Sequence, residues 1–202
     1  MKSKNILIIL TLVLVVVASA NLFFTTQSNN VDITLKTNGT DVKVQASSIL
    51  FFKSVPQSML VEMNDKALDD VQSDTSTVES VKSDMKDIAQ KYNYTANVKI
   101  NSQFGTDQLP MPASVSGTSM VPTLKDGQDI VVLKTKDYKV GDIVVARHPE
   151  YGLIVKRVSQ IKDGQVYLMS DNRETIVTSN GIYKGLDTWL PVENVVGVVK
   201  IY

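Results

Sequence analysis

The chain has 202 residues, with 21 basic and 21 acidic side chains, no cysteine and a single histidine. This length accommodates one or two small domains of about 100 residues each. The lack of cysteine excludes disulfides, thiol catalysis and cysteine-ligated metals, and one histidine (His148) argues against a histidine-based metal cluster. The chain has zero formal charge and no basic stripe, so nothing points to nucleic acid. We expect no metal, no cofactor and no nucleic-acid partner.

The first element is an uncharged apolar run from Ile6 to Phe24. Its length is close to the roughly 20 residues that cross a bilayer as a helix. Lys2 and Lys4 are the only charges before it, and positive residues favour the cytoplasmic side. We therefore expect residues 1–24 to form a cytoplasmic tip and a transmembrane signal anchor. The protein would then be a single-pass protein of the cell membrane, with the lipid bilayer as a partner and the rest of the chain extracytoplasmic.

The same run also fits a cleavable signal peptide. The triplet Ala18-Ser19-Ala20 has the small-x-small pattern of a cleavage site and follows an apolar region. The run continues to Phe24, which favours the longer anchor. Both interpretations export the remaining residues, so the sequence leaves open whether the span is retained.

Residues 25–108 are predicted to form a small α+β exterior unit. Apolar positions alternate over 31–44 around Asn38-Gly39, which predicts a β-hairpin. The segment 76–79, Ser-Thr-Val-Glu, has the spacing of a capping box and predicts a helix of about four turns after it. A strand at 94–100 follows. The unit carries no catalytic signature, so we expect it to be a spacer or packing module.

Residues 109–202 are predicted to form a β-rich domain. After a loop that holds Pro110 and Pro112, short apolar segments recur at roughly ten-residue spacing and are separated by Gly and Asp. This spacing is typical of an antiparallel barrel-like fold. The predicted fold class is therefore mainly β, preceded by the transmembrane helix and the small α+β unit. The candidate strands are 113–117, 129–134, 142–147, 152–161, 165–170 and 195–201.

Two segments could supply nucleophilic catalysis. Ser119 lies in a glycine-containing turn before a Pro-Thr break, and a serine hydroxyl needs a neighbouring base to become reactive. Lys156 lies inside an apolar strand, on the same face as Ile154 and Val158. Burial there would lower its pKa, and a neutral amine could accept the serine proton. From the residues alone, a turn serine and a snorkelling surface lysine are the alternatives.

Five blocks resemble type I signal peptidases, in the order that the family has them. V-S-G-T-S-M-V-P-T-L resembles the serine-bearing motif and I-V-K-R-V the lysine box. V-G-D-I-V-V resembles the strand between them, while S-D-N-R and W-L-P-V-E-N-V-V-G resemble two later segments. The resemblance implies a signal-peptidase/LexA-type catalytic fold with Ser119 as nucleophile and Lys156 as general base. It implies a membrane-anchored serine endopeptidase that removes signal peptides from exported preproteins after small-x-small, with the protein-export machinery as a further partner.

The resemblance also implies supporting groups. Groups around Ser119 are expected to hold the oxyanion, and Asp171 and Asn172 are expected to support the strand beside Lys156. Ser170 stands where the family usually has glycine. The family's lysine-orienting serine and bracing aspartate have no clean match over 174–180, so Thr178 or Ser179 is expected to supply the orienting hydroxyl. The candidates for the oxyanion hole are Gly117, Thr118 and Ser116.

An extended substrate is expected to pair between the strand before Ser119 and the strand that leads to Lys156. Small side chains would enter shallow apolar pockets there, as the family's Ala-x-Ala preference implies. The predicted substrate contacts are Ala113, Val115, Met120, Leu153 and Val155.

Two other functions fit part of the pattern. The LexA/UmuD-like self-cleaving proteases share the Ser–Lys dyad, but a LexA-type repressor would have a DNA-binding helix-turn-helix upstream, and Pro122-Thr123 favours signal peptidase. A catalytically inactive exterior binding protein on the same fold is the second alternative, because the segment after Arg173 departs from the family pattern. Replacing Ser119 with alanine would separate the binding protein from a protease, since only a protease would lose its function.

Overall fold

The computed structural model describes residues 13–17, 29–48, 54–174, 176–178, 181–183 and 185–201. Residues 13–17 are helical, and the other positions of the predicted anchor lie outside the described residues. None of the helices within the described ranges is long and apolar enough to span a bilayer.

The first unit is a four-stranded sheet covered by two helices. Its strands are β1 (Asn30–Thr37), β2 (Val42–Ser48), β3 (Thr95–Ser102) and β4 (Gly105–Thr106), in the order β2-β1-β3-β4. The predicted hairpin around Asn38-Gly39 is present, with β1 antiparallel to β2. β1 and β3 are parallel, which requires a crossover connection. Two helices, α1 (Gln57–Gln72) and α2 (Val78–Lys91), provide that crossover.

The two helices and the sheet share one apolar core. Alternate residues of β1 point to the helices because side chains alternate between the faces of a strand. Helix α1 contributes a side chain at about every fourth position, so one stripe of the helix is buried. The fully buried members of this core include Ile33, Leu35, Met59, Met63, Ala67, Val81, Met85 and Ile100.

The first unit differs from its prediction in two respects. Helix α1 was not predicted at all. Helix α2 was predicted, but its capping box lies one residue later than Ser76 and Glu79. The backbone N–H of Ser80 donates to Thr77 Oγ1 (3.1 Å), and the N–H of Thr77 donates to Ser80 Oγ (2.9 Å). A serine hydroxyl therefore takes the place of the expected glutamate carboxylate.

The second unit is mainly β, as predicted. Seven strands form one sheet in the order β12-β9-β8-β7-β13-β6-β5, and every neighbouring pair is antiparallel. Two further strands, β10 (Ile176–Thr178) and β11 (Gly181–Tyr183), form a separate hairpin. The strands of the large sheet are β5 (Pro110–Ser114), β6 (Asp129–Leu133), β7 (Ile143–His148), β8 (Gly152–Lys162), β9 (Gln165–Met169), β12 (Thr188–Pro191) and β13 (Val195–Ile201).

Strand β5 begins earlier than predicted. Pro110 and Pro112, assigned above to a loop, pair with Leu133 and Val131 of β6. Proline has no N–H to donate, so it is tolerated only where one edge of the strand needs no partner. β5 lies at the end of the strand order and meets that condition. Gly117, predicted to end this strand, instead lies in the turn that follows.

Both faces of the seven-stranded sheet are buried under apolar side chains. Ile143 and Val145 of β7 belong to one cluster, and Val144 and Ala146 belong to the cluster on the other face. Strand β8 is buried on one face at Lys156 and Val158. A lysine therefore occupies a position that the strand otherwise fills with aliphatic residues.

Candidate active site

The two predicted catalytic side chains meet. Ser119 lies in the turn after β5, directly after the exposed Thr118. Met120 and Leu124 follow it, and their fully buried side chains anchor the turn in the core. Lys156 extends from the buried face of β8, and its Nζ donates a hydrogen bond to Ser119 Oγ at 2.8 Å. Nζ also donates to the carbonyl oxygen of Val155 at 3.1 Å. These two contacts aim the amine at the serine hydroxyl.

Lys156 is held in surroundings that favour its neutral form. Only 5% of the residue is exposed. Burial lowers the pKa of the Lys156 ammonium from its usual value, because a charged group loses solvation in the interior. Asp187 and Asp171 oppose this effect through their negative charges, which raise the same pKa. The balance lies on the side of a lowered pKa, which suits a lysine that must accept a proton.

The turn that carries Ser119 is fixed at several points. Gly117 has a φ of +87°, a conformation that side-chain-bearing residues rarely adopt, and its N–H donates to Asp126 Oδ1 at 2.8 Å. The N–H of Asn172 donates to the carbonyl oxygen of Ser119 at 2.9 Å. The side-chain amide of Asn172 donates to the carbonyl oxygen of Thr118 at 3.1 Å. Asn172 thus braces the serine turn itself, whereas it was predicted to support the strand of Lys156.

Backbone groups beside Ser119 can stabilise an oxyanion. Within the described part of the chain, no group accepts a hydrogen bond from the N–H of Thr118, Ser119 or Met120. Such free N–H groups next to a nucleophile are the usual donors of an oxyanion hole. The N–H of Gly117 is already used by Asp126, so Gly117 shapes the turn without offering its own donor. Ser116 is exposed and lines the adjacent groove.

Asp171 connects the strand of Lys156 to the end of the serine turn. Its Oδ1 accepts from Arg157 Nε at 2.7 Å, and its Oδ2 accepts from Arg157 and from Thr123 Oγ1. The hydrogen bonds from Arg157 are the main cause that lowers the pKa of Asp171 below its usual value. Asp171 is therefore ionised at neutral pH and ties Arg157, the neighbour of Lys156, to the residue that follows Pro122.

A groove of about 200 Å³ lies beside the dyad. It contains four of the five predicted substrate contacts, Ala113, Val115, Leu153 and Val155, with Ser116 at its side. The prediction for Met120 was wrong, because this side chain is fully buried in the core under the turn. Ile130 and Val145 also line the groove and were not predicted.

The side chains predicted to supply a lysine-orienting hydroxyl lie outside the described part of the structure. Ser179 lies outside the described residues, and of Thr178 only the backbone is described. Ser170, which is 4% exposed, lies at the end of β9 and was noted only as a departure from the family pattern. Asp187 was not predicted, because the family's bracing aspartate was expected within 174–180. The sequence feature that could have indicated Asp187 is its position directly before the strand that contains Trp189.

A family model described as Peptidase S24-like matches residues 80–180. The match covers half of the chain and includes both Ser119 and Lys156. The chain belongs to the Peptidase S24-like family. A comparison with curated proteins gives no match. This S24-like chain is accordingly a serine peptidase with a Ser–Lys dyad, and the paired side chains of Ser119 and Lys156 are the groups in place to form it.

Proposed function

We propose that this S24-like peptidase is a membrane-anchored signal peptidase that removes N-terminal signal peptides from exported preproteins. The observation that carries the proposal is a small apolar groove directly beside the Ser119–Lys156 pair. The apolar run at 6–24 supports the membrane location and the extracytoplasmic placement of the catalytic part.

The groove has the strand edges that an extended peptide needs. β5 is at the end of the sheet, so its outer edge is unpaired within the described sheet. β9 pairs with β8 only from Arg157 onward, so among the strands that the structure describes one edge of residues 152–156 has no partner. A peptide that lies between these edges can form main-chain hydrogen bonds on both sides. This places its carbonyl groups next to Ser119.

The chemistry of the groove favours apolar side chains. The groove is lined by the aliphatic side chains of Ile130, Val145 and Val155, with Ser114 and Ser116 at the rim. A charged substrate side chain would lose solvation there without an ion-pair partner among these residues. This lining supports a preference for uncharged side chains, and cleavage after small-x-small is what the resemblance to type I signal peptidases implies.

The reaction is a two-step acyl transfer. Ser119 Oγ attacks the carbonyl carbon of the scissile bond while Lys156 Nζ takes the serine proton. The N–H groups at the turn hold the oxyanion, and Lys156 returns the proton to the leaving amine as the C–N bond breaks. Water then attacks the ester, gives a proton to Lys156, and releases the new carboxyl terminus. The proton returns to Ser119.

The test uses the full chain in detergent and a preprotein with Ala-x-Ala before the cleavage site. We expect cleavage after the second alanine, and little or none when that alanine is replaced by phenylalanine. Ser119→Ala and Lys156→Ala should each reduce the rate by about three orders of magnitude or more, as losses of catalytic residues do. Lys162→Ala is the matched control, since this lysine lies on the same strand with its side chain mostly exposed.

The same experiment separates the alternatives. A LexA/UmuD-like protein would cut its own chain at a rate independent of its concentration and would leave the preprotein intact. An inactive binding protein would cut neither, and Ser119→Ala would leave its phenotype unchanged. Either result would overturn the signal-peptidase proposal, while self-cleavage would still agree with the Ser–Lys chemistry.

A further inference from the structure

Ser170 directly follows β9, the strand that pairs with the strand of Lys156. β8 and β9 are antiparallel, with Val158 opposite Leu168 and Arg157 opposite Met169 as the pairs next to this end. The same register, continued one residue past the end of β9, would put Ser170 across from Lys156, on the face that Val158 and Leu168 share. Both Lys156 and Ser170 are buried, at 5% and 4% exposure.

Ser170 fastens the segment that brings Asp187 to this face. Its backbone N–H donates to Asp187 Oδ1 at 2.9 Å, and its hydroxyl donates to the carbonyl oxygen of Leu186 at 3.2 Å. Arg173 forms an ion pair with the other oxygen of Asp187. The carboxylate is thus held on one side by Ser170 and on the other by Arg173.

Gly185 makes this arrangement possible. A Cβ at Gly185 would lie 2.6 Å from Ser170 Oγ, 2.7 Å from Ser170 Cβ and 3.2 Å from the carbonyl oxygen of Asn172. The two distances to Ser170 are shorter than real Cβ contacts, so any larger residue would push the 185–187 segment away from Ser170. The serine and the glycine are therefore matched in size.

The negative charges of Asp187 and Asp171 both raise the pKa of Lys156. Asp171 is already engaged by Arg157, on the other face of β8, and by Thr123. The negative charge of Asp187 is the larger of the two influences that raise the pKa of Lys156. Moving or neutralising Asp187 therefore alters the proton affinity of the catalytic base.

We propose that Ser170, fitted against Gly185, is a positioning residue that fastens Asp187 as the counter-charge of Lys156. The inference rests on the peptidase activity of the Ser119–Lys156 dyad. Ser170 and Gly185 act through Asp187, which itself acts on the base through its charge. Ser170 stands where signal peptidases usually have glycine, and the absence of a side chain at Gly185 leaves room for the serine side chain.

The first test is the pH profile of kcat/KM for a cleaved preprotein. Asp187→Asn keeps an oxygen that can accept from the Ser170 N–H but removes the charge. The pKa of Lys156 should then fall further, and the acid limb of the profile should move to lower pH. We expect the rate at a pH on that limb, relative to the plateau, to rise about threefold or more. Asp163→Asn, in the exposed hairpin at the far end of β8, should leave the limb unmoved.

The second test is a rescue. Gly185→Ala should move the acid limb in the same direction as Asp187→Asn, because the added methyl group displaces the 185–187 segment. Ser170→Gly combined with Gly185→Ala should move the limb back part of the way, since both short contacts with Ser170 disappear and the backbone N–H that holds Asp187 remains, while the hydroxyl bond to Leu186 is lost. Ser170→Ala combined with Gly185→Ala should not, because the Cβ at 170 remains in the way. Equal behaviour of the two double variants would overturn the proposed fit.

A readout without substrate separates this inference from the proposed function. The titration of Lys156 can be followed by the NMR shift of its labelled Cε, assigned by its loss in Lys156→Met. We expect Asp187→Asn to lower the midpoint. An unchanged midpoint in folded protein would refute the positioning role even if preproteins are cleaved, and a lowered midpoint would support it even if none is. Should Gly185→Ala fail to fold, Ser170→Ala, which loses the hydroxyl bond to Leu186, decides the question: an unchanged Lys156 midpoint would refute the positioning role.

Discussion

Lys156 has to be uncharged before it can accept a proton from Ser119. Its burial on β8 disfavours the ammonium form, while Asp187 and Asp171 favour it, and burial has the larger effect on the pKa. The hydrogen bond of 2.8 Å between the two side chains then places the amine where the proton must go. The packing around Lys156 therefore determines both the position of its amine and its protonation state.

This leads to a pH dependence with a defined sign. The neutral fraction of Lys156 increases as pH rises through its lowered pKa, so kcat/KM should rise with pH and level off below 10.5, the usual lysine value. Lys156→Arg should be inactive across the whole range, because arginine cannot lose its proton in a protein. The measurement is a profile of kcat/KM from pH 5 to 10 with buffers of constant ionic strength. An acid limb absent over this range would mean that another group is the base.

Some residues of the site could be found in the sequence and others could not. Ser119 and Lys156 lie in short blocks whose neighbours, such as Gly117 and Val158, already indicate a turn and a buried strand face. Asp187 is far along the chain from Lys156, and its approach depends on how the chain returns after Asn172. Only the fold supplies that information. Met120 was predicted to contact substrate but is buried under the turn, because the direction of a turn side chain depends on the packing beneath it.

At the level of elements, the serine turn depends on the segment that follows β9. Asn172 contributes one backbone and one side-chain donor to the carbonyl oxygens of Ser119 and Thr118. Asp171, its neighbour, holds Arg157 and Thr123. Residues 171 and 172 therefore connect the strand that carries Lys156 to the turn that carries Ser119. These hydrogen bonds hold the two elements at a fixed separation.

Removing the side-chain brace should weaken catalysis more than folding. Asn172→Ala keeps the backbone donor to Ser119 and loses the bond to Thr118, which is worth about 1 kcal/mol and predicts a roughly fivefold fall in kcat. Asn172→Asp should be worse, because a carboxylate would face the carbonyl oxygen of Thr118. The matched control is Asn97→Ala, which removes an exposed amide contact with Asp32 in the first unit. A loss of kcat in the control equal to that in Asn172→Ala would contradict this role.

The elements also differ in how readily they are predicted. Met59, Met63 and Ala67 of helix α1 recur at every fourth position, so the signal for this helix was present in the sequence. Strand β5 was harder, because Pro110 and Pro112 normally argue against a strand. Their acceptance depends on β5 being an edge strand, and strand order is a property of the whole sheet.

At the level of the whole molecule, the two units are joined through the end of helix α1. Lys134, directly after β6, donates to the carbonyl oxygens of Asp70 (3.0 Å) and Ser73. Such a lysine satisfies carbonyl groups that a helix end leaves without partners. Burial lowers the pKa of Lys134 to about 8. Arg147 of β7 forms an ion pair with Asp74, just beyond the same helix.

These contacts should make the two units unfold together. In the wild type we expect a single calorimetric transition for both sheets. Lys134→Met combined with Arg147→Gln removes both links while keeping the apolar stem at position 134, and should separate the transition into two, with the first unit melting earlier. Lys136→Met is the matched control: this lysine donates to the carbonyl oxygens of Glu193 and Val195 within the second unit. The control should lower the melting temperature without dividing the transition. A single transition in the double variant would mean that the packing of helix α1 on β5 is enough to couple the units.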